Sequence, residues 1–349
     1  MAMTTLMAEI TQQPAVLSGL RKYYTSPGAI PSQALRALVK HWPPTVVFTG
    51  MGSSMYAAYP AQAYLTAHAI RALIWETGEL VDHHLKVLDP DTLLVVVSQS
   101  GETAEVLRLL GALPRKEGLV AVCNIEASSL ARRANLLLPM MAGSPAPVGT
   151  KTYTCAVAVL MYLAVVIAGK PLNALTQALM HAIEAQEKII DRHDELILPT
   201  VEFFNKPHYV ALLSKGADLS TVYQGALLFK EVAKMGAEPM SAAQFRHGPM
   251  EIVDPAHRYI IFARQGETKA KQKADHGLLR LAGDIRDHGG RVLLYADLPF
   301  ADLTNLRLVP VESLQMGLGT LADSVHIQLL VHDLALRAGL EPGSFRFAS

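Results

Sequence analysis

TLLVVVSQSGETAEVLRLLGAL, residues 92–113, decides the fold. Its first seven residues form a continuous apolar, β-branched run, as in a parallel strand covered on both faces. From Thr103 onward the pattern turns helical. The bend between them, Ser98–Thr103, therefore lies where a strand feeds a helix N-terminus. Free backbone N–H groups and the positive end of the helix dipole meet there. Gly101 permits a tight turn and a close approach to a ligand. Ser98, Ser100 and Thr103 add three hydroxyls within six residues, next to Gln99. In parallel α/β sheets, ligands bind beyond the C-terminal ends of the strands. Two readings stay open at this point. The bend is an anion cradle, or it is a capped helix in which Ser100 or Thr103 satisfies local amides only. The turn after the preceding strand, TGMGSS at 49–54, brings Ser53 and Ser54 beside Gly52 and favours the cradle.

Further runs of the same kind lie on either side: TVVFTG at 45–50, LVAVC at 119–123 and LLLPMM at 136–141. Helical stretches separate them, which predicts a doubly wound α/β layer. The second half repeats the order with HYVALLS at 208–214, YIIFA at 259–263, RVLLYA at 291–296 and LRLVPV at 306–311. The turns also repeat. Gly216 follows Gly52 by 164 positions, and Gly266 follows Gly101 by 165. A near-constant offset at two separated turns indicates duplication. The expected organisation is a helical arm (1–39), a first lobe (40–170), a helical linker (171–199), a second lobe (200–335) and a tail (336–349). The copies differ in chemistry. Where the first has Ser53, Ser54, Ser98, Ser100 and Thr103, the second has Ala217, Asp218, Gln265 and Gly266. One lobe is expected to hold an anion and the other to serve a different task.

Composition excludes several classes. The 349 residues carry 31 basic and 31 acidic side chains, a balance that argues against a nucleic-acid partner. Half the residues are hydrophobic, which argues against disorder. Cys123 and Cys155 cannot make a disulfide framework and read as buried thiols in a reducing cytoplasm. No CxxC or HExxH appears, so no metal and no cofactor is signalled. TGMGSS lacks the third glycine of a dinucleotide fingerprint and the lysine of a P-loop, and no GxSxG elbow is present. MAMTTLMAEITQQP has neither the basic start nor the apolar run of a signal peptide. The uncharged stretch 152–169 is read as a buried helix rather than a membrane span, so no membrane partner is expected. His83 and His84 are placed on a strand, pointing to opposite faces, which excludes a shared ion. KAKQK at 269–273 reads as a solvated face.

TGMGSSMYAA, VSQSGETAEVL, AVCNIEASSLAR, VGTKTYT and ALLFKEVAKMGAEPMSAAQFRHGPMEIVD resemble the sugar isomerase (SIS) family of phosphosugar-binding domains. In order and spacing they are most similar to the isomerase half of glucosamine-6-phosphate synthase. They also resemble the stand-alone aminosugar-phosphate deaminases and fructosamine-6-phosphate deglycases. EITQQP resembles the leading arm of that half. The resemblance implies two tandem SIS-type lobes, each a parallel sheet flanked by helices. It implies a phosphate loop at Ser98, Gln99, Ser100 and Thr103 with Gly52, Ser53 and Ser54 beside it, and a covering loop at Val148 and Lys151. It places a proton-shuttling glutamate at Glu231 and a ring-opening histidine at His247. In the family that histidine often reaches a neighbouring subunit's site, which implies a homodimer.

These roles are chemically coherent. Moving a proton between C1 and C2 of an open-chain sugar phosphate needs one positioned base, and a carboxylate suits this if burial raises its pKa. Ring opening moves a proton from O1 to O5, which suits a histidine near neutral pH. From the residues alone, Glu231 also reads as a surface helix residue beside Lys230, and His247 as a loop residue before Gly248-Pro249.

The sequence departs from the synthase in two ways. It has no lysine after Lys273, where the family's tail carries one that contacts the sugar, and no glutaminase domain is expected. Glutamine-dependent synthesis is therefore not expected. The expected substrate is an aminosugar 6-phosphate or hexose 6-phosphate, with isomerisation and loss of nitrogen. The alternatives are a fructosamine-6-phosphate deglycase, a plain aldose–ketose isomerase and a non-catalytic phosphosugar sensor.

Overall fold

The computed structural model describes residues 3–26, 30–39, 45–113, 118–144, 146–264, 269–297 and 302–347. The chain forms two compact units. One comprises Gln12–Ile183, and the other comprises Met1–Thr11 with Glu184–Ser349. The division falls within the helix Asn173–Asp191, inside the stretch read as a linker. The helical arm of the sequence reading is a helix over Thr5–Thr25 followed by one over Ile30–Val39.

The first lobe is a five-stranded sheet of β1 (Thr45–Gly50), β2 (Arg71–Glu76), β3 (Thr92–Ser98), β4 (Gly118–Cys123) and β5 (Leu136–Pro139), in the order β2-β1-β3-β4-β5. All its pairings are parallel. The second lobe contains β6 (Tyr209–Ser214), β7 (Ala237–Ser241), β8 (His257–Ala263), β9 (Arg291–Ala296) and β10 (Leu306–Pro310), in the order β10-β9-β8-β6-β7, again all parallel. Counted from the first strand of each lobe, both sheets run 2-1-3-4-5. The chain is therefore α/β with two doubly wound sheets. In this order the connections diverge on either side of β1 and β6, which opens a crevice between the ends of β1 and β3, and another between β6 and β8.

All eight expected strands are present. The two edge strands β2 and β7 carried no recognisable run. β2 reads RALIWE and is only partly buried. β7 reads AEPMS and contains Pro239, which an edge strand tolerates because one row of its N–H groups has no ladder partner.

Each sheet is sealed by apolar side chains. In the first lobe Leu94, Val96 and Ala121 pack against Val106 and Leu109 of the helix Ala104–Ala112. In the second, Leu213, Ile261 and Leu294 pack against Leu278, Leu281 and Ile285 of the helix Lys269–Asp287. Each of these Leu, Ile and Val side chains contributes roughly 1.5–3 kcal/mol of burial free energy.

The uncharged stretch is the helix Lys151–Ile167, buried continuously from Tyr153 to Val166. A helix that is apolar all round belongs in a protein interior. Among the described residues no helix is long and apolar enough to cross a membrane. The helix Tyr59–Ala67 packs on it. Tyr24 leans on Tyr162 at 4.7 Å between ring centroids and donates its hydroxyl to the Pro139 carbonyl at 2.8 Å. Cys123 and Cys155 are free and buried, and burial pushes the Cys155 thiol up to about 12.

One local expectation is corrected. His83 and His84 lie not on a strand but in a single π-helical turn, Leu80–His84. The opposite-face argument therefore does not apply to them. Their ring centroids are 6.3 Å apart, and His84 stacks on Trp75 at 4.1 Å. Gln265 and Gly266, together with the side chains of 269–273, lie outside the described residues.

Candidate functional site

The crevice of the first lobe is built by glycines that keep side chains out. Gly50 ends β1, and a Cβ there would sit 2.9 Å from both the Met55 amide nitrogen and the Val97 carbonyl oxygen. Gly52 then turns the chain with φ 49° and ψ −124°, outside the range open to other residues, and starts the short helix Ser53–Tyr56. Across the crevice Gly101 takes φ +68°, and a Cβ on it would lie 2.3 Å from the Ser128 hydroxyl. Ser128 caps the helix Ser129–Arg133 by accepting from the Ala131 amide at 3.2 Å. Gly101 is thus fixed twice, by its backbone conformation and by the cap beneath it.

The hydroxyls of the bend divide. Ser98 accepts from the Gly101 amide at 3.0 Å, and Ser100 accepts from the Glu102 amide at 3.2 Å. These bonds shape the turn, yet each hydroxyl keeps its own O–H to donate. Thr103 stands at the N-cap of the helix Ala104–Ala112 but makes no side-chain capping bond. Its Oγ1 is buried and has no partner. An orphaned buried hydroxyl beside unsatisfied helix N–H groups is a place for an anion oxygen or a water. The Gln99 carbonyl accepts from the Asn124 amide at 3.1 Å, which holds the bend to the end of β4.

The loop before the central helix closes on the same turn. A Cβ on Gly149 would lie 2.8 Å from the Ser53 hydroxyl, so the backbone of this loop rests against Ser53. Val148 is buried, and Lys151 is nearly so at 5% exposure. The Lys151 ammonium donates to Gln12 Oε1 at 2.7 Å. The structure thus brings Gly52, Ser53, Ser54, Val148 and Lys151 into one neighbourhood, with the bend 98–103 on the adjoining strand. Gln12, Asn124 and Ser128 support this arrangement. They lay within EITQQP and AVCNIEASSLAR, but no local pattern assigned them roles.

Glu231 and His247 belong to the second lobe. Glu231 ends the helix Leu219–Glu231, which packs on β7, β6 and the helix Gly319–Arg337. Its carboxyl receives no hydrogen bond from the described residues. Burial pushes it up to about 7, while the nearby Lys234 pulls the other way. That value suits a group that must both take and return a proton near neutrality. His247 follows the helix Ala242–Arg246, which is anchored by the fully buried Phe245. The His247 ring is exposed and makes no hydrogen bond to the described residues. Among the described residues, no hydrogen bond or ion pair links Glu231 to His247. Lys234 carried no sequence signal. It lies one turn past Glu231 at φ 55° and reaches back to the Glu231 carbonyl.

Among the described residues, no group of three or more His, Cys, Asp or Glu side chains could hold a metal ion. A separate cavity of about 230 Å³ lies in the second lobe, lined in part by Lys188, Arg192, Glu312 and His326. It contains none of the residues singled out from the sequence.

A parallel doubly wound lobe with a hydroxyl-lined crevice at its topological switch point is an arrangement suited to ligand binding, and comparison with known proteins says what it is similar to. Residues 40–168 match the SIS domain family. The match spans the first lobe, which is thus similar to that family. A glutamine–fructose-6-phosphate aminotransferase (isomerizing) of Yersinia pseudotuberculosis is 28% identical over 356 residues, which cover 96% of this chain and 56% of the relative. The chain thus spans about half the length of that curated relative. The C-terminal domain of glucosamine-fructose-6-phosphate aminotransferase from Francisella tularensis superposes with a TM-score of 0.83 at 20% identity, covering 98% of each chain. Glucosamine-6-phosphate deaminase from Thermotoga maritima superposes with a TM-score of 0.74 at 20% identity, covering 99% of this chain and 98% of that one. At these identities the superpositions speak to the fold alone.

Proposed function

We propose that the protein is a phosphosugar isomerase-type enzyme that acts on an aminosugar 6-phosphate. The orphaned Thr103 hydroxyl, at a helix N-terminus where Gly101 admits no side chain, is the observation that carries this reading. Ser98, Gln99, Ser100 and Thr103, with Gly52, Ser53 and Ser54, hold the phosphoryl oxygens. Val148 and Lys151 form the cover. His247 moves the proton from O1 to O5 that opens the ring. Glu231 takes the C2 proton and returns it to C1. The C2 amine then becomes an imine, water adds at C2, and ammonia leaves behind a 2-ketose 6-phosphate. The substrate's own nitrogen supplies the imine, so no enzyme amine is consumed. The exposed, unpartnered His247 ring favours a homodimer in which it completes a neighbouring subunit's site.

The test is a turnover panel of 6-phosphorylated aminosugars and ketosamines, read as ammonia or free amino acid. Ammonia release from a 2-amino-2-deoxyhexose 6-phosphate is expected. Glu231→Gln should lower turnover by roughly 10²–10⁴-fold and leave sugar-phosphate binding intact. Release of an amino acid from a ketosamine would move the reading to a deglycase. Sugar-phosphate binding without wild-type turnover would make the protein a sensor. Absence of binding would end the proposal.

A further inference from the structure

We propose that Lys234 is a positioning residue for Glu231: it holds the segment 341–347 against the end of the Glu231 helix and sets the charge that faces the Glu231 carboxyl. The inference rests on the reading of Glu231 as the proton carrier and adds to it a residue and a segment. After Glu231 the chain turns sharply. The Val232 amide donates to Leu228 O at 2.8 Å, and the Met235 amide to Phe229 O at 3.0 Å. Lys234 bridges these bonds at φ 55°, a left-handed conformation that disfavours a residue with a Cβ.

Its side chain makes use of that conformation. The Lys234 ammonium donates to the Glu231 carbonyl and, at 2.7 Å, to the Ser344 carbonyl. It also lies 5.6 Å from the centroid of the Phe345 ring, within the range of a cation–π contact. Ser344 is fixed in turn, since its amide donates to Glu341 O at 3.2 Å and its hydroxyl to the same carbonyl at 3.0 Å. An ammonium has three N–H donors. Two are committed to carbonyls and the aromatic face is alongside, so this geometry is that of a latch and not of an amine poised to attack a carbonyl carbon. The Lys234 charge also offsets the burial of the Glu231 carboxyl.

Two measurements on the full chain test this without turnover. The Glu231 carboxyl is titrated by carbon NMR in protein labelled at glutamate, with Glu231→Gln giving the assignment. Hydrogen exchange is measured over 340–347. Lys234→Met should move the titration midpoint upward by half a unit or more and speed exchange of the segment about tenfold, while Lys234→Arg should restore both. A midpoint that stays or falls, or exchange that does not change, overturns the proposal. Lys234→Gln, which keeps one donor for a carbonyl, replaces Lys234→Met if the latter does not fold. Where the turnover panel is positive, the acid limb of its pH profile should follow the NMR midpoint. A shift of both readouts in a protein without turnover would sink the enzymatic reading and leave the latch standing.

Discussion

The two lobes share one strand order and treat the same crevice in opposite ways. Gly50 ends β1, and a Cβ there would strike the Val97 carbonyl. Its counterpart in the second lobe is Ser214, whose hydroxyl donates to the Phe262 carbonyl at 2.8 Å. The space the first lobe keeps empty, the second fills with a hydrogen bond. Gln99 has Arg264 as its counterpart. That guanidinium is buried and grips Asp323 with two N–H groups, the second at 2.6 Å. The glycines at the start of the central helices tell the same story. Gly149 clears room for the Ser53 hydroxyl, and Gly319 clears room for Arg264, whose Cζ lies 2.7 Å from where a Cβ would be. The helix Lys151–Ile167 is almost wholly apolar, while the buried helix Gly319–Arg337 carries Asp323, His326, Gln328, His332 and Asp333. Duplication left one crevice with an orphaned hydroxyl and plugged the other with an ion pair.

The plug gives the largest expected effect. Asp323→Leu leaves Arg264 buried without its counter-charge and should cost about 3–5 kcal/mol in denaturant unfolding. Arg264→Met combined with Asp323→Leu should recover most of that loss, since a well-packed apolar pair replaces a buried ion pair at little cost. Burial pushes the Asp323 carboxyl up, and the bidentate Arg264 opposes it. Calorimetric titration with a 2-amino-2-deoxyhexose 6-phosphate should show unchanged affinity in the double variant. A fall in affinity would break the comparison, because the second crevice would then be serving the ligand.

A smaller effect belongs to Glu231 and depends on pH. Its carboxyl lies at about 7 in the fold against an ordinary 4.5. The native state therefore holds this proton more tightly than the unfolded chain does, and stability falls as pH rises between those values. Above pH 7 the penalty is fully present and amounts to at most about 3 kcal/mol. Glu231→Gln carries no such penalty. It should be more stable than wild type at pH 8 by up to that amount, with the difference vanishing below about pH 4.5. Thermal unfolding across this range checks it. A pH-independent difference would mean that burial does not tune this carboxyl.

How much of this was legible in the sequence follows from which residues act locally. The strands β1, β3, β4, β6, β8 and β9 are buried on both faces, so their apolar runs announced them. β2 and β7 are edge strands, where Arg71, Glu76, Glu238 and Pro239 are tolerated and the pattern is lost. The bend at 98–103 was readable because glycine and hydroxyls are needed at fixed offsets from a strand end. The roles of Gln12 and Lys234 were not, because each acts on a residue or segment far along the chain. Gln12 holds Lys151 across 139 positions, and Lys234 holds Ser344 across 110. The Arg264–Asp323 plug was hidden for the same reason, and the sequence showed only that the hydroxyls of the first copy had gone. His83 and His84 were misplaced because a single π-helical turn leaves no periodicity to read.

The smallest expected effect separates the two lobes most cleanly. Thr103 Oγ1 is buried without a partner, whereas Thr221 Oγ1 in the second lobe donates to the Thr320 hydroxyl at 2.7 Å. Valine is close to isosteric with threonine and removes only the hydroxyl. Thr221→Val breaks a buried hydrogen bond and should cost about 1 kcal/mol of stability, with ligand affinity unchanged. Thr103→Val breaks no bond in the free protein and should leave stability equal or slightly raised. It removes one donor to the phosphoryl group, so sugar-phosphate affinity should fall about tenfold, equivalent to about 1.4 kcal/mol. The two variants thus exchange their effects between unfolding and binding. If Thr103→Val instead loses stability and keeps affinity, its hydroxyl is a helix cap, and the first crevice is as closed to ligand as the second.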